Sequence, residues 1–152
     1  MARHAFINHH KLGGVHALKG DPSADVIDHC GSGIIPTLGS RIDNSFEWLR
    51  QKGFRWGQDG EVDPFENKMP TDYLSSMFYA DTALYGDSPG LMCGYSFFGP
   101  DHILFGTDYP YDVEGGDRYI ERTIEAVNRM PISDADKDKI FQGNSKRMLN
   151  LG

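Results

Sequence analysis

The chain has 152 residues, 39% of them hydrophobic and 24% charged, and a formal net charge of −7 at pH 7. It is long enough for one domain with a buried core, and its acidic balance without a Lys/Arg cluster argues against a nucleic-acid partner, because phosphates bind to basic surfaces. No apolar stretch approaches the ~18 residues of a membrane span and the N-terminus lacks the apolar segment of a secretory signal, so we expect a cytoplasmic protein without a membrane partner.

The first predicted elements are a strand with its turn and a helix. Residues 23–33 contain a Val-Ile pair followed by a glycine-rich turn, which is typical of a strand and its exit. Residues 43–50 have helical spacing of apolar side chains, with Asp43 or Asn44 as the N-cap and Gly53 as the stop.

A long polar segment follows this helix. Residues 53–70 are rich in Gly, Asp and Pro and predict a loop, and loops of this length are often functional or mobile. Trp48, Phe54 and Trp56 are interpreted as packing residues, with the capping of a pocket as the alternative.

The middle of the chain predicts two further strands around a helix. Residues 74–84 are interpreted as the second strand, with a helical turn ahead of it, and residues 89–98 as a short helix. Residues 103–105 are a short apolar run with the length of a buried strand.

The last third of the chain predicts three helices. Residues 117–130 carry apolar side chains at helical spacing. Ser133 caps the next helix, which Gly143 ends, and a final short helix begins near Asn144. This last helix is expected to bury two apolar residues, Met148 and Leu149.

Strands that alternate with helices predict an α/β fold with a parallel sheet. Three strands are too few for a closed eight-stranded barrel, which takes about 250 residues. Residues 1–152 are therefore interpreted as a single domain that is part of a larger fold, with residues 1–22 as an N-terminal segment of uncertain assignment.

Asp108 is the most informative candidate site residue. The apolar run stops at Gly106, and Asp108 follows two residues later, just before Tyr109–Pro110. The carboxyl ends of parallel strands are where α/β barrels place their chemistry. The alternative is a turn aspartate that bonds to its own backbone.

His29 occupies the matching place after the first strand. An imidazole and a carboxylate at two strand exits are a donor pair that suits zinc, manganese or a similar divalent ion. A hydrogen-bonded core histidine is the alternative for His29. Cys30 and Cys93 have no metal-like or redox spacing and are interpreted as reduced thiols, with a disulfide between them left open.

These segments together resemble the C-terminal part of the amidohydrolase-related (amidohydrolase 2) family, in particular its metal-dependent decarboxylases of the aminocarboxymuconate semialdehyde decarboxylase type. The resemblance covers residues 23–152 and includes the segment from His29 through Pro36 to Arg41. The other matching segments are Tyr73–Asp81, Phe105–Pro110 and Gly143–Leu151.

The resemblance implies a partial TIM barrel, made of the C-terminal β/α units of a metal-dependent hydrolase-type (β/α)8 barrel, with a divalent metal, zinc first and manganese second. His29 would follow the sixth strand at the metal site, as a metal ligand and catalytic residue. Asp108 would follow the eighth strand, bind the metal and exchange protons. Arg41 would pair with a substrate carboxylate in a neighbouring subunit's site, where the guanidinium fork suits a carboxylate; a surface ion pair is the alternative.

The chain also departs from the family pattern. No His-x-His motif is present, the fifth-strand histidine is absent, and the segment from His29 to Pro36 is one residue longer than usual. His9, His10 and His16 are interpreted as a solvated cluster, with a barrel role or a separate metal site as alternatives.

Tyr79 and Asp81 lie two residues apart on the predicted second strand, so their side chains share one face. They are interpreted as supports of the site, with direct contact of Asp81 as the alternative.

The function that this resemblance implies is a metal-dependent carbon–carbon lyase that removes carboxylate from an aromatic or unsaturated acid. The first alternative is a hydrolase of the same family, in which a metal lowers the pKa of bound water and Asp108 acts as the base. The second is a catalytically silent fragment or partner subunit that lacks the N-terminal metal ligands. A small carboxylic acid is the expected substrate, and a homo-oligomer or a companion chain is the expected assembly, because open sheet edges pair with other chains.

Overall fold

The computed structural model describes residues 25–27, 29–30, 33–54 and 68–151. His9, His10, His16 and Trp56, and most of the predicted 53–70 loop, lie outside the described residues. In chain order the elements are β1 Asp25–Ile27, α1 Ile34–Gln51, α2 Pro70–Met77, β2 Phe78–Asp81, α3 Ser88–Phe98, β3 Ile103–Leu104, α4 Asp117–Arg129, α5 Asp134–Asp138, a π-helical turn Lys139–Gly143, and α6 Asn144–Met148.

The three strands form one parallel sheet in the order β1-β2-β3. Asp25 pairs with Phe78 in one ladder, and Ala80 pairs with Ile103 in the other. The predicted parallel sheet with intervening helices is therefore confirmed. Because all three strands run the same way, their carboxyl ends lie along one edge of the sheet, where the predicted site residues follow them. None of the helices in the described ranges is long and apolar enough to cross a bilayer.

The main core lies where α3, α4 and the π-helical turn pack on the sheet. Its most deeply buried side chains come from every layer: Ala80, Leu91, Ile103, Val127 and Ile140. A smaller cluster joins Leu104 of β3 to Met148 of α6, with Leu149 packed against it. The predicted burial is thus confirmed for Met148, whereas Leu149 follows the helix and is only partly buried.

Helix α1 begins at Ile34, so the prediction of a start at Asp43 or Asn44 was wrong. Pro36 lies in the first turn, where its missing N–H leaves no hydrogen bond unmade. The Asp43 carboxylate instead accepts hydrogen bonds from the backbone N–H of Thr71, at 3.1 Å, and from the Thr71 hydroxyl. The predicted stop is confirmed, since Gly53 has a φ of 81°.

The region predicted as one strand over residues 74–84 is a helix followed by a strand. Pro70 starts α2, and the Asp72 carboxylate accepts a hydrogen bond from the Met69 N–H at 2.9 Å. This N-terminal cap stabilises a helix through Met77, and only Phe78–Asp81 are extended. The predicted helical turn is therefore a full helix of eight residues.

The predicted helix end at Gly143 was also wrong. Gly143 has a φ of −60° and continues through the π-helical turn into α6. Asn144 explains the continuation, because its buried side-chain amide donates to the carbonyls of Pro100, at 2.8 Å, and Ile103, at 2.7 Å. The predicted cap of α5 is confirmed, with the Asp136 N–H donating to Ser133 Oγ at 3.1 Å.

Candidate active site

The turn after β1 has an unusual backbone. His29 and Cys30 have φ angles of 54° and 52°, and the left-handed region costs non-glycine residues about 1–2 kcal/mol each. Cys30 N–H donates to the Asp81 carboxylate at 3.3 Å, and the Cys30 side chain is buried. These two contacts hold His29 in a conformation that the local sequence alone disfavours.

The His29 imidazole is oriented by a backbone carbonyl. Its Nδ1 lies 2.9 Å from the carbonyl oxygen of Ala83. Because a carbonyl only accepts hydrogen bonds, Nδ1 carries the proton of the neutral ring, and Nε2 is left as the acceptor. The side chain is exposed, which does not fit the alternative of a core histidine. Metal-binding histidines are commonly fixed by this kind of Nδ1–H bond.

Cys30 is an inert packing residue of this turn. Burial, followed by the negative charge of Asp81, raises the pKa of the Cys30 thiol to about 12. Its sulfur packs against Gly94 of α3, where a side chain would find no room. Cys30 and Cys93 are both free thiols, as the sequence predicts.

Asp81 lies at the exit of β2 between the other two strand exits. Its Oδ1 accepts from the N–H groups of Ala83, at 3.1 Å, and Cys30. Tyr79, on the same strand, stacks on His102 with ring centroids 4.9 Å apart and planes 9° from parallel. Asp81 thus contacts the turn after β1, whereas Tyr79 contacts His102 at the residue that precedes β3.

Asp108 follows β3 in a segment that β2 holds in place. The Thr82 hydroxyl donates to the Gly106 carbonyl at 2.8 Å and accepts from the Gly106 N–H at 3.1 Å. Asp108 itself is half-buried with a φ of 64°, ahead of a cis Tyr109–Pro110 peptide bond.

The Asp108 carboxylate is not hydrogen-bonded within its own turn. Its backbone carbonyl accepts from the Tyr111 N–H at 3.2 Å, whereas within the described ranges no hydrogen bond reaches its carboxylate. The alternative of a turn aspartate bonded through its side chain is therefore not what the structure shows there. The carboxylate is left for a ligand, a proton or an ion.

Arg41 lies in the first half of α1 and is exposed. None of the ion pairs between described residues includes it, so the alternative of a surface ion pair has no partner in that part of the chain. The Arg41 guanidinium is therefore accessible to a ligand or to another molecule.

Two contributors to the site were missed by sequence reasoning, because neither has a sequence signal. Thr82 positions Gly106 through its hydroxyl, and Ala83 positions His29 through its carbonyl. A carbonyl is present at every residue, so only the fold shows which one faces an imidazole.

The described residues do not complete a metal site. No group of three or more His, Cys, Asp and Glu side chains comes together among them. His29 and Asp108 have suitable donor atoms, but a zinc site commonly has three or four protein ligands. A metal at these strand exits would need further donors from outside the described residues.

Comparison with known proteins gives consistent matches over this same region. A sequence model described as amidohydrolase matches residues 25–151. The chain is 27% identical over 126 residues to a gamma-resorcylate decarboxylase from Polaromonas sp. (strain JS666), an alignment that covers 83% of this chain and 34% of the relative.

Solved structures agree with the sequence matches. A 2,6-dihydroxybenzoate decarboxylase from Rhizobium superposes with a TM-score of 0.60 at 25% identity, over 83% of this chain and 34% of that one. A dihydroxybenzoic acid decarboxylase from Polaromonas sp. JS666, with bound manganese and the inhibitor 2-nitroresorcinol, gives a TM-score of 0.59 at 26% identity, over 83% and 33%. The chain thus spans about one third of the length of the relatives it matches.

Proposed function

The chain belongs to the amidohydrolase family, and on this premise we propose that it supplies part of the active site of a metal-dependent decarboxylase of aromatic carboxylic acids. The parallel sheet supports the further proposal that residues 23–152 form β/α units of a TIM barrel. The named relatives are decarboxylases, which favours this reaction over the hydrolase alternative. The free thiols of Cys30 and Cys93 support a cytoplasmic location.

The observation that carries the proposal is the bond from His29 Nδ1 to the Ala83 carbonyl, 2.9 Å long. It leaves Nε2 as an acceptor at an exposed strand exit, and the Asp108 carboxylate follows another exit of the same sheet. An imidazole nitrogen and a carboxylate are donors for a divalent metal, for which the sequence favours zinc and the Polaromonas relative holds manganese.

Two of the candidate residues have proposed roles in decarboxylation. The bond between the ring carbon and the carboxylate breaks, carbon dioxide leaves, and the electron pair on the carbon takes up a proton. Asp108 is the proposed relay of that proton, because its carboxylate is not engaged in its turn. Arg41 is the proposed partner of a substrate carboxylate in the site of a neighbouring subunit. Its side chain is exposed, and a guanidinium can form two hydrogen bonds to one carboxylate.

The substrate class follows from the relatives. Benzoates with neighbouring hydroxyl groups, such as 2,6-dihydroxybenzoate, are the first compounds to test. The assay measures carbon dioxide release by the full chain with Mn²⁺ or Zn²⁺. We expect Asp108→Asn to lower the rate by about a hundredfold or more, as for loss of a group that transfers protons. His29→Asn should also lower the rate, because it removes the proposed imidazole donor to the metal.

Asp134→Asn is the matched control for these variants. It makes the same change of carboxylate to amide at a fully exposed side chain of α5, and we expect it to keep the wild-type rate. Where the wild type releases carbon dioxide, an equal rate for Asp108→Asn would contradict the assignment of Asp108.

A second candidate is a partner subunit that is inactive alone. One observation favours it: the described residues lack a group of three metal donors. Metal content per chain separates the two candidates. A metal site that this chain completes is supported if the wild type holds near-stoichiometric metal and the His29→Ala/Asp108→Ala double variant loses it. Absence of metal from the wild type supports the partner subunit.

A further inference from the structure

One carboxylate joins the exit turns of β1 and β2. Asp81 Oδ1 accepts from the backbone N–H groups of Cys30, at 3.3 Å, and Ala83, at 3.1 Å. His29 directly precedes Cys30, and Ala83 supplies the carbonyl to which its imidazole donates. Asp81 therefore fixes the backbone on both sides of the bond that orients the imidazole.

The backbone of the first turn requires such a partner. His29 and Cys30 are consecutive non-glycine residues in the left-handed region, which is disfavoured unless surrounding contacts maintain it. A carboxylate is a stronger acceptor for an N–H group than a neutral oxygen. The Asp81 carboxylate contacts this turn from the β2 exit, while the Cys30 sulfur anchors it on Gly94 of α3.

The same strand exit also holds the segment that leads to Asp108. Gly106 passes so close to Asp81 that a Cβ at Gly106 would lie 3.1 Å from the Cβ of Asp81. The neighbouring Thr82 exchanges two hydrogen bonds with the Gly106 backbone. Asp81 and Thr82 thus contact the exits of both strands that carry candidate site residues.

We propose that Asp81 is a positioning residue that keeps the His29 imidazole bonded through Nδ1 to Ala83, with Nε2 as the acceptor. Its consequence for catalysis rests on the proposed decarboxylase function. The positioning itself involves only residues of this chain and can be measured without turnover.

The test is ¹⁵N nuclear magnetic resonance of the full-length chain at about pH 8.5, with amide hydrogen exchange on the same samples. In the wild type the His29 Nδ1 resonance is expected at its protonated value. In Asp81→Ala it is expected to shift towards the unprotonated value, and the Cys30 and Ala83 amides should exchange about tenfold faster, because each loses a charge-assisted bond.

Asp81→Asn is the second variant, since it preserves the volume and one acceptor oxygen. We expect it to keep the His29 tautomer while exchange of the same two amides rises less than in Asp81→Ala. Faster exchange confined to the Cys30 and Ala83 amides in Asp81→Asn tests the positioning role even when Asp81→Ala does not fold. Asp134→Ala, an identical change at an exposed site, should alter neither measurement.

The positioning role would be overturned by two results together. The His29 tautomer would be unchanged, and amide exchange would be uniform across β2, in Asp81→Asn and also in Asp81→Ala where that variant folds. That result would leave the proposed function intact. Conversely, an Asp81-dependent tautomer in a chain that releases no carbon dioxide would support the positioning role and favour the inactive partner subunit over the decarboxylase.

Discussion

At the scale of single residues, the site depends on close packing between Cys30 and Gly94. Cys30 is 1% exposed, and its sulfur occupies the space where a side chain at Gly94 would lie. Glycine at this point of α3 allows the turn after β1 to approach the helix. The position of His29 is therefore set partly by a residue that has no side chain.

Gly94→Ala tests this packing. We expect it to lower the free energy of unfolding by about 1–2 kcal/mol, because overpacking costs about 1–3 kcal/mol while alanine regains up to about 1 kcal/mol of helix preference. Adding Cys30→Ala should recover part of the loss, since it removes the clashing sulfur. Urea unfolding followed by circular dichroism measures both, and an unchanged midpoint for Gly94→Ala would contradict the close contact.

The thiol of Cys30 should be unreactive in the folded protein. Its pKa of about 12, raised chiefly by burial, leaves little thiolate at pH 8, and the thiolate is the nucleophile. Cys93 is only partly buried and serves as the internal control. Brief treatment with iodoacetamide should label Cys93 in the native chain and both thiols after denaturation, as read by mass spectrometry. Equal native labelling of the two would refute this.

At the scale of elements, Asn144 ties the C-terminal helices to β3. Its side-chain nitrogen donates to the carbonyls of Pro100 and Ile103, on either side of the turn that enters the strand. Asn144 is fully buried. The π-helical turn and α6 thus support the strand that leads to Asp108.

Asn144→Ala should be clearly destabilising. It leaves two carbonyls without this donor, and a buried polar group that loses its partner costs about 1–3 kcal/mol. We expect a total loss of about 2–4 kcal/mol in the free energy of unfolding. Asn128→Ala, at an exposed position of α4, should change it by less than about 0.5 kcal/mol. Similar unfolding midpoints for the two variants would exclude the tether.

The N-terminus of α5 makes the free energy of unfolding depend on pH in the acid range. The Ser133 hydroxyl bonds to the Asp136 carboxylate and lowers the pKa of Asp136, with further lowering by the Tyr95 hydroxyl and Lys139. A carboxyl whose pKa is lowered on folding stabilises the fold above its unfolded pKa of about 3.9, and this contribution is lost as the pH falls through the folded value.

Ser133→Ala should therefore be more destabilising near neutral pH than in acid below the folded pKa of Asp136, where that carboxyl is protonated in both states. Ser96→Ala is the matched control, because the Ser96 hydroxyl donates to the Met92 carbonyl. Its effect should be independent of pH. Urea titrations at several pH values measure both, and a pH-independent effect of Ser133→Ala would contradict the linkage.

At the scale of the whole molecule, the sheet has two outer strands. Within the described ranges β1 and β3 each pair on one side only, with β2. Unpaired strand edges favour pairing with another chain. The proposed homo-oligomer or companion chain, in which the exposed Arg41 would reach a neighbouring site, would cover such edges.

Sedimentation equilibrium of the purified chain tests this assembly. We expect a mass above the 17.0 kDa of one chain at micromolar concentration, or a shift to a larger complex when a companion chain is added. A mass of one chain under both conditions would count against either form of assembly.

The sequence by itself determined the elements whose signals are local. The helix over Asp117–Arg129, the Ser133 cap, the Gly53 stop and the short strand before Asp108 were all predicted and confirmed. Each depends on neighbouring residues only, because apolar spacing, capping and glycine conformation act within one or two turns of chain.

The tertiary structure decided what depends on residues far apart in the chain. Asp43 is inside α1 because its carboxylate bonds to Thr71, and the helix passes Gly143 because Asn144 bonds to Ile103. His29 is oriented by a carbonyl 54 residues away. Sequence patterns indicate candidate groups for chemistry, but the partners that orient them are set by packing, since a backbone carbonyl or N–H has no signature in the sequence.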